Sequence, residues 1–221
     1  MVVKELYLTN ENKEFKVDLW KEKLSEYSRD CPFKKANSAL IVVDMQHYFI
    51  DKDSHAHIPS SDAIIENVAE LIEIYRSNNL PVIFTKFVVK KNKDNGIMGK
   101  WWKDTVYEGE SRAKIIPLLK PRENELVITK KSYGAFHNKE LRRFLKINNI
   151  KNIIITGVAT DLCCDVITRG AFLCNFQPHI VIDATAASNE ELHLSSLRAL
   201  GHGFAYLRTT KEILGAFSNE K

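Results

Sequence analysis

From residue 38 to residue 220 the chain alternates short β-rich apolar runs with longer stretches in which apolar positions return every three or four residues. The short runs are ALIVV at 39–43, PVIFT at 81–85, ELVIT at 125–129, NIIIT at 152–156, HIVID at 179–183 and AYLR at 205–208. Their length and composition predict six strands. Between the first two, Ile64, Val68, Leu71, Ile72 and Tyr75 fall on one helical face, and Ser60, Ser61 and Asp62 are candidate caps. After the third, Leu141, Phe144 and Leu145 face one way and the basic groups of the same helix the other. A further helix is predicted from Ser188 through Glu190, Glu191, Leu192, Leu194, Leu197 and Leu200, with Gly201 as its stop. Strand and helix in regular alternation predict an α/β fold around a mainly parallel sheet.

No linker divides residues 38–221, which are predicted to form one domain. Residues 1–37 differ, with a helical segment near 17–28 followed by Cys31-Pro32, and are expected to be a flank packed on that domain. The stretch 90–110, KKNKDNGIMGKWWKDTVYEGE, is polar and irregular, yet it carries Met98, Trp101, Trp102 and Tyr107. Large rings on a long connection must find a pocket, a core or a partner. A substrate lid and a packing or dimer contact both satisfy that need.

Composition removes several classes. The 221 residues carry a net charge of only +4, and the basic groups are diffuse, as at Lys34, Lys35 and Lys90, Lys91, Lys93, so no nucleic-acid partner is expected. The apolar runs IIITGVA and ALIVV fall short of the roughly 20 residues that cross a bilayer. The start MVVKELYLTNENKEF has no apolar signal stretch, and a cytoplasmic protein without membrane contact is expected. Cys31, Cys163, Cys164 and Cys174 match no paired zinc spacing and are read as reduced thiols.

In an open parallel sheet, ligands bind beyond the carboxyl ends of the strands, where neighbouring loops diverge. Asp44 ends the first predicted strand, Lys130 follows the third, and Cys163 lies in the turn after the fourth. The fold can bring this carboxylate, ammonium and thiol together. Taken singly, each has a plainer use: Asp44 as a loop cap, Lys130 as a solvated cation, Cys163 as a small buried apolar residue. In IIITGVATDLCCDVITRGAF a strand, a tight turn and a helix follow one another. A thiol on the first helical turn would have its pKa lowered by the helix's positive end, and the turn's N–H groups could hold an oxyanion. Cys164 points about 100 degrees away around the helix and is expected to pack inward. His47, His137, Tyr133 and Phe136 lie near these positions, open to packing, hydrogen bonding or a pocket wall.

The segments VVDMQHYF around Asp44, VITKKSYGAFHNKELRRFL around Lys130 and IIITGVATDLCCDVITRGAF around Cys163, followed by IVIDATAA, resemble those of the isochorismatase-like hydrolases, or cysteine hydrolases, over roughly residues 38–217. That resemblance implies a three-layer αβα sandwich on a six-stranded parallel sheet of order 3-2-1-4-5-6. It implies an Asp44–Lys130–Cys163 triad, a cis peptide between Val158 and Ala159, and the N–H groups of Ala159 and Cys163 as oxyanion donors. The implied reaction is hydrolysis of a small amide or carbamoyl compound through a Cys163 thioester, without a cofactor, in a homodimer or homotetramer. Trp101, Trp102, Tyr133 and Phe136 are the expected substrate-pocket residues. The family's metal-bearing nicotinamidases carry an Asp-x-His and a further His near the second strand. Here the segment reads FTKFVV, with Lys86 and Val88 in place of those ligands, and His55 and His57 form only a weak pair in the preceding loop, so no metal is expected. The chain is also similar to true isochorismatases, which cleave a vinyl ether to release pyruvate and commonly hold a small residue where Cys163 stands. A non-enzymatic alternative is an oligomeric scaffold with Trp101 and Trp102 as contact anchors.

Overall fold

The computed structural model describes residues 3–31, 33–91, 95–102 and 104–218; Pro32 and Lys93 lie outside the described residues. Six parallel strands, β1 (Ser38–Val43), β2 (Val82–Phe87), β3 (Leu126–Lys130), β4 (Asn152–Val158), β5 (Gln177–Ala186) and β6 (Tyr206–Arg208), form one sheet of order 3-2-1-4-5-6. Every residue of β1 and β4 is buried, because both strands are central and covered on two faces, which is why their sequences are apolar without alternation. Ile41 pairs with Ile83 on one side and Ile155 on the other.

Helix α1 (Lys13–Lys23) precedes the sheet, and the one-turn helix α2 (His47–Ile50) follows β1. α3 (Ile65–Ser77) buries Val68, Leu71, Ile72 and Tyr75, and it packs with the C-terminal helix α8 (Thr210–Ser218) through Tyr75 and Phe217, whose rings are 5.3 Å apart. α4 (Gly96–Trp102) is a short helix in the long connection after β2. α5 (Lys139–Ile147), α6 (Asp165–Leu173) and α7 (Glu190–Gly203) make the right-handed crossovers on the other face, completing a three-layer αβα sandwich.

Local chemistry moved several predicted boundaries. The α7 cap is Asn189, whose side chain accepts the Leu192 N–H, one residue beyond Ser188. Gly201 does not stop that helix; it lies inside it, where a Cβ would come within 3.0 Å of Tyr27 and Leu207. Ser60 caps nothing. Its hydroxyl accepts the N–H groups of Tyr7 and Leu8 at 3.1 and 3.0 Å and so anchors the N-terminal segment. The helix predicted near 17–28 is α1, four residues earlier, and a 3₁₀ turn at Ser25–Tyr27 follows it. Tyr7, Leu8, Trp20 and Leu24 belong to the same buried cluster as the central strands. Lys130 is the last residue of β3, and β5 runs on to Ala186, so Asp183 lies within a strand. From there its Oδ1 accepts the N–H and hydroxyl of Thr210, at 2.7 and 2.9 Å, at the start of α8.

Candidate active site

Asp44, Lys130 and Cys163, 86 and 33 positions apart in sequence, meet at the carboxyl ends of β1, β3 and β4. The chain leaves β1 through Asp44 with φ +49, the left-handed region that Asp tolerates better than most residues. That turn crosses Gly157 of β4, which is paired with Val43 and has φ +104; a Cβ there would sit 2.1 Å from the Val43 carbonyl oxygen. Glycine is required at that crossing on both counts.

The Lys130 Nζ lies 2.5 Å from Asp44 Oδ2, 3.1 Å from Cys163 Sγ and 3.1 Å from the Ser132 carbonyl. Asp44 and Lys130 are sealed from solvent and Cys163 is 5% exposed. Burial opposes the Lys130 charge, but the Asp44 carboxylate and the Cys163 sulfur outweigh it and hold the lysine above its ordinary pKa. For Cys163 the expected lowering is reversed. Burial and then the Asp44 carboxylate push the thiol up, with Lys130 only partly opposing them, so the resting site holds a thiol beside a base. Cys164 is fully buried, and burial raises its thiol as well.

Cys163 sits on a π-helical turn, Thr160–Cys164, that precedes α6. The peptide bond entering the turn, Val158–Ala159, is cis. The Ala159 carbonyl accepts the N–H groups of Leu162 and Cys164 at 3.2 and 3.0 Å. The turn is held from behind by α7: Thr160 Oγ1 is 2.9 Å from His193 Nδ1, and Ser196 Oγ donates to the Thr160 carbonyl at 3.2 Å and to Asp165 at 2.9 Å. The N-terminal segment reaches the same point, because the Trp20 ring packs on His193 with centroids 4.7 Å apart while its Nε1 donates to Glu190 at 2.7 Å.

Three contributors to this arrangement escaped the sequence. Thr85 of β2 donates its hydroxyl to Asp44 Oδ1 at 2.6 Å. Gln46, fully buried, accepts the Phe87 N–H at 2.7 Å and donates to the carbonyls of Phe87 and Ala113, tying the loop after β1 to the end of β2. His193 supports the nucleophile's turn from another layer. A polar residue in an apolar run, such as Thr85 in VIFTKF, is the signal that could have found the first.

The expected pocket residues separate. Trp102 Nε1 donates to the Tyr133 hydroxyl at 2.6 Å; burial raises that hydroxyl's pKa and the Trp102 donor partly opposes it. Trp101 is 72% exposed and Trp102 38%. Phe136 is only 6% exposed, with its ring on Phe176 at 5.9 Å and against Gly170 of α6, so it belongs to the core rather than to an open wall. His47 pairs with Asp51 at 3.0 Å and His137 is exposed. Among the described residues no group of three or more His, Cys, Asp or Glu could hold a metal ion. Lys86 and Val88 offer no ligand where the metal-bearing branch would need one. No helix among the described residues is long and apolar enough to cross a membrane.

Comparison with known proteins agrees with the strand-end geometry. The Isochorismatase domain profile matches residues 38–212. Nicotinamidase 3 of Arabidopsis thaliana is 35% identical over 173 residues, covering 77% of this chain and 83% of that relative. Enterobactin synthase component B of Escherichia coli is 28% identical over 188 residues, covering 85% of this chain, which spans only 66% of that protein's length. Among solved structures, the cysteine hydrolase from Pseudomonas syringae pv. phaseolicola superposes with a TM-score of 0.82 at 22% identity, covering 86% of this chain and 96% of that one. With its sheet order, its three meeting side chains and a domain match over most of its length, the chain belongs to the isochorismatase family of hydrolases.

Proposed function

We propose that this enzyme hydrolyses the C–N bond of a small amide or carbamoyl compound through a thioester on Cys163. The observation that carries the proposal is the Lys130 ammonium held between Asp44 Oδ2 at 2.5 Å and Cys163 Sγ at 3.1 Å. Asp44 accepts the thiol proton, and Lys130 stabilises the sulfur anion as it forms. The sulfur attacks the substrate carbonyl, and the developing oxyanion is received by the N–H groups of Ala159 and Cys163, at the start of a helical turn where N–H groups lack intrahelical partners. Asp44 returns its proton to the leaving nitrogen, and the C–N bond breaks. A water then gives a proton to Asp44 and attacks the thioester, releasing the acid, after which the proton returns to the sulfur.

A thiol raised by burial suits this order of events. The proton leaves only once a substrate is seated beside the base, which spares the free enzyme an exposed reactive thiolate. The name of the 35% identical plant relative, a nicotinamidase, favours a planar amide, and the Trp102–Tyr133 pair offers a surface for one. The similarity to the 27% identical Isochorismatase of Bacillus subtilis keeps vinyl-ether cleavage as the competing reaction, for which Asp44 would act as acid and Cys163 would have no bond to make.

The test is a panel of nicotinamide-like amides, small cyclic amides, ureido and carbamoyl compounds, with isochorismate alongside, using parent enzyme and Cys163→Ala. The expected outcome is release of acid and ammonia or amine from an amide, lowered about a thousandfold or more by the substitution. Amide hydrolysis at an undiminished rate in Cys163→Ala, or isochorismate cleavage alone, removes the thioester from the scheme.

A further inference from the structure

The Lys130 ammonium has three N–H groups, and all three are committed: to Asp44 Oδ2, to the Ser132 carbonyl and to Cys163 Sγ. None is left for the second oxygen of Asp44, although that carboxylate is fully buried and a buried charge without donors is costly. Thr85 fills the gap. Its hydroxyl donates to Asp44 Oδ1 at 2.6 Å, while the Asp44 N–H lies 3.3 Å from both the Thr85 carbonyl and its Oγ1. We propose that Thr85 is a positioning residue for the reaction: by holding Oδ1 and the adjoining backbone, it keeps the Asp44 carboxylate turned so that its remaining lone pairs meet the Cys163 proton.

The surroundings make this role specific. Thr85 is itself fully buried, between Phe84 and Lys86 in a strand whose other buried residues, Val82, Ile83, Phe84 and Phe87, are apolar. Valine would fill the same volume with better strand propensity, so packing does not account for the hydroxyl. The titratable groups that feel the Asp44 carboxylate are Lys130 from β3 and Cys163 and Cys164 from the turn after β4, and β2 brings the Thr85 hydroxyl. A hydroxyl donor stabilises the charged form of the carboxylate. Without it Oδ1 is a buried acceptor that has lost this donor, and the carboxylate is free to turn away from Cys163.

This inference rests on the proposed thiol mechanism, and the experiment separates the two. Thr85→Val, Thr85→Ala, Thr85→Ser and Cys163→Ala are compared with the parent on the amide found by the panel above, recording kcat and KM. Thr85→Val is expected to lower kcat about tenfold with KM nearly unchanged, and Thr85→Ser should restore it. Thr85→Ala, which adds no bulk, replaces Thr85→Val if the latter does not fold, and should show the same loss. A kcat of the Val or Ala variant equal to the parent's, a loss carried by KM instead, or equal losses in the Ser and Val variants, overturns the role of Thr85. Retained activity in Cys163→Ala instead overturns the thiol mechanism beneath it.

Discussion

The two sides of the candidate site are built on opposite plans. Its floor, the Asp44–Lys130–Cys163 cluster with Thr85 and Gln46, is sealed at the strand ends and joined by hydrogen bonds through which nearly every side chain holds another. Its roof is α4 and Tyr133, where Trp102 meets Tyr133 through one hydrogen bond and Ile97 and Trp101 stand in solvent. Polar networks in a low-dielectric interior are rigid when every member is satisfied, which suits bond-making steps that need fixed distances. An exposed connection with few buried contacts can change its surface without disturbing them. The comparison teaches that the buried, hydrogen-bonded groups and the exposed rings lie in separate parts of this molecule, one hard to alter and one tolerant.

The strongest way to break the floor without touching a reacting group is Gly157→Ala. The new methyl would meet the Val43 carbonyl at 2.1 Å in a backbone conformation that L residues rarely adopt. A loss of about 3 kcal/mol or more is expected, by urea unfolding, together with loss of activity in the protein that remains folded, because the Val43–Asp44 turn must shift. A stability within about 0.5 kcal/mol of the parent would show that the crossing is looser than its geometry indicates.

Acid should loosen the protein through two buried histidines, one behind the floor and one at the opposite end of the sheet. Burial lowers the pKa of His193, behind the nucleophile's turn, and of His179, near the start of β5, to about 3. Both are neutral in the folded protein at pH 5 but protonated once unfolded, so the unfolded state binds more protons and stability falls as pH drops below about 6.5 toward 3. Each contributes up to about 1.4 kcal/mol per pH unit inside that window. Urea unfolding of the parent and His179→Gln between pH 7 and 4 measures this; the variant should lose the smaller amount over the range. Equal pH slopes would mean that His179 is not held neutral by the fold.

At the roof, effects should be smaller and of another kind. Trp102→Phe keeps a ring but removes the donor to Tyr133, and a rise in KM of about threefold with kcat little changed is expected. Trp101→Ala, at a largely exposed position, should change stability by less than about 0.5 kcal/mol in thermal or urea unfolding. A large fall in kcat from Trp102→Phe with KM constant would join roof to floor and undo the comparison.

Much of the floor was legible because its residues lie at strand ends, and strands announce themselves by apolar runs such as ALIVV and NIIIT. Asp44 and Lys130 break those runs with charge, and Cys163 follows a turn marked by Gly157. What stayed hidden depends on contacts across layers. Thr85 is an ordinary strand residue until the β1–β2 pairing sets it beside Asp44, and His193 is one polar side chain in a helix until that helix packs on Thr160. Phe136 resembled a pocket residue by its place near Lys130, yet the packing of α6 took it into the core.

By itself, the order of apolar and polar residues determined the α/β class, the six strands and three residues set for one edge of the sheet, since periodicity and strand-end position are local properties. The tertiary structure alone decided the rest: that the thiol rests protonated, that the second oxygen of Asp44 is held by Thr85, and that the N-terminal segment reaches the back of the nucleophile's turn through Trp20 and His193. Each of these follows from burial or from distances between residues far apart in the chain, and desolvation and hydrogen bonding exist only once the layers have closed on one another.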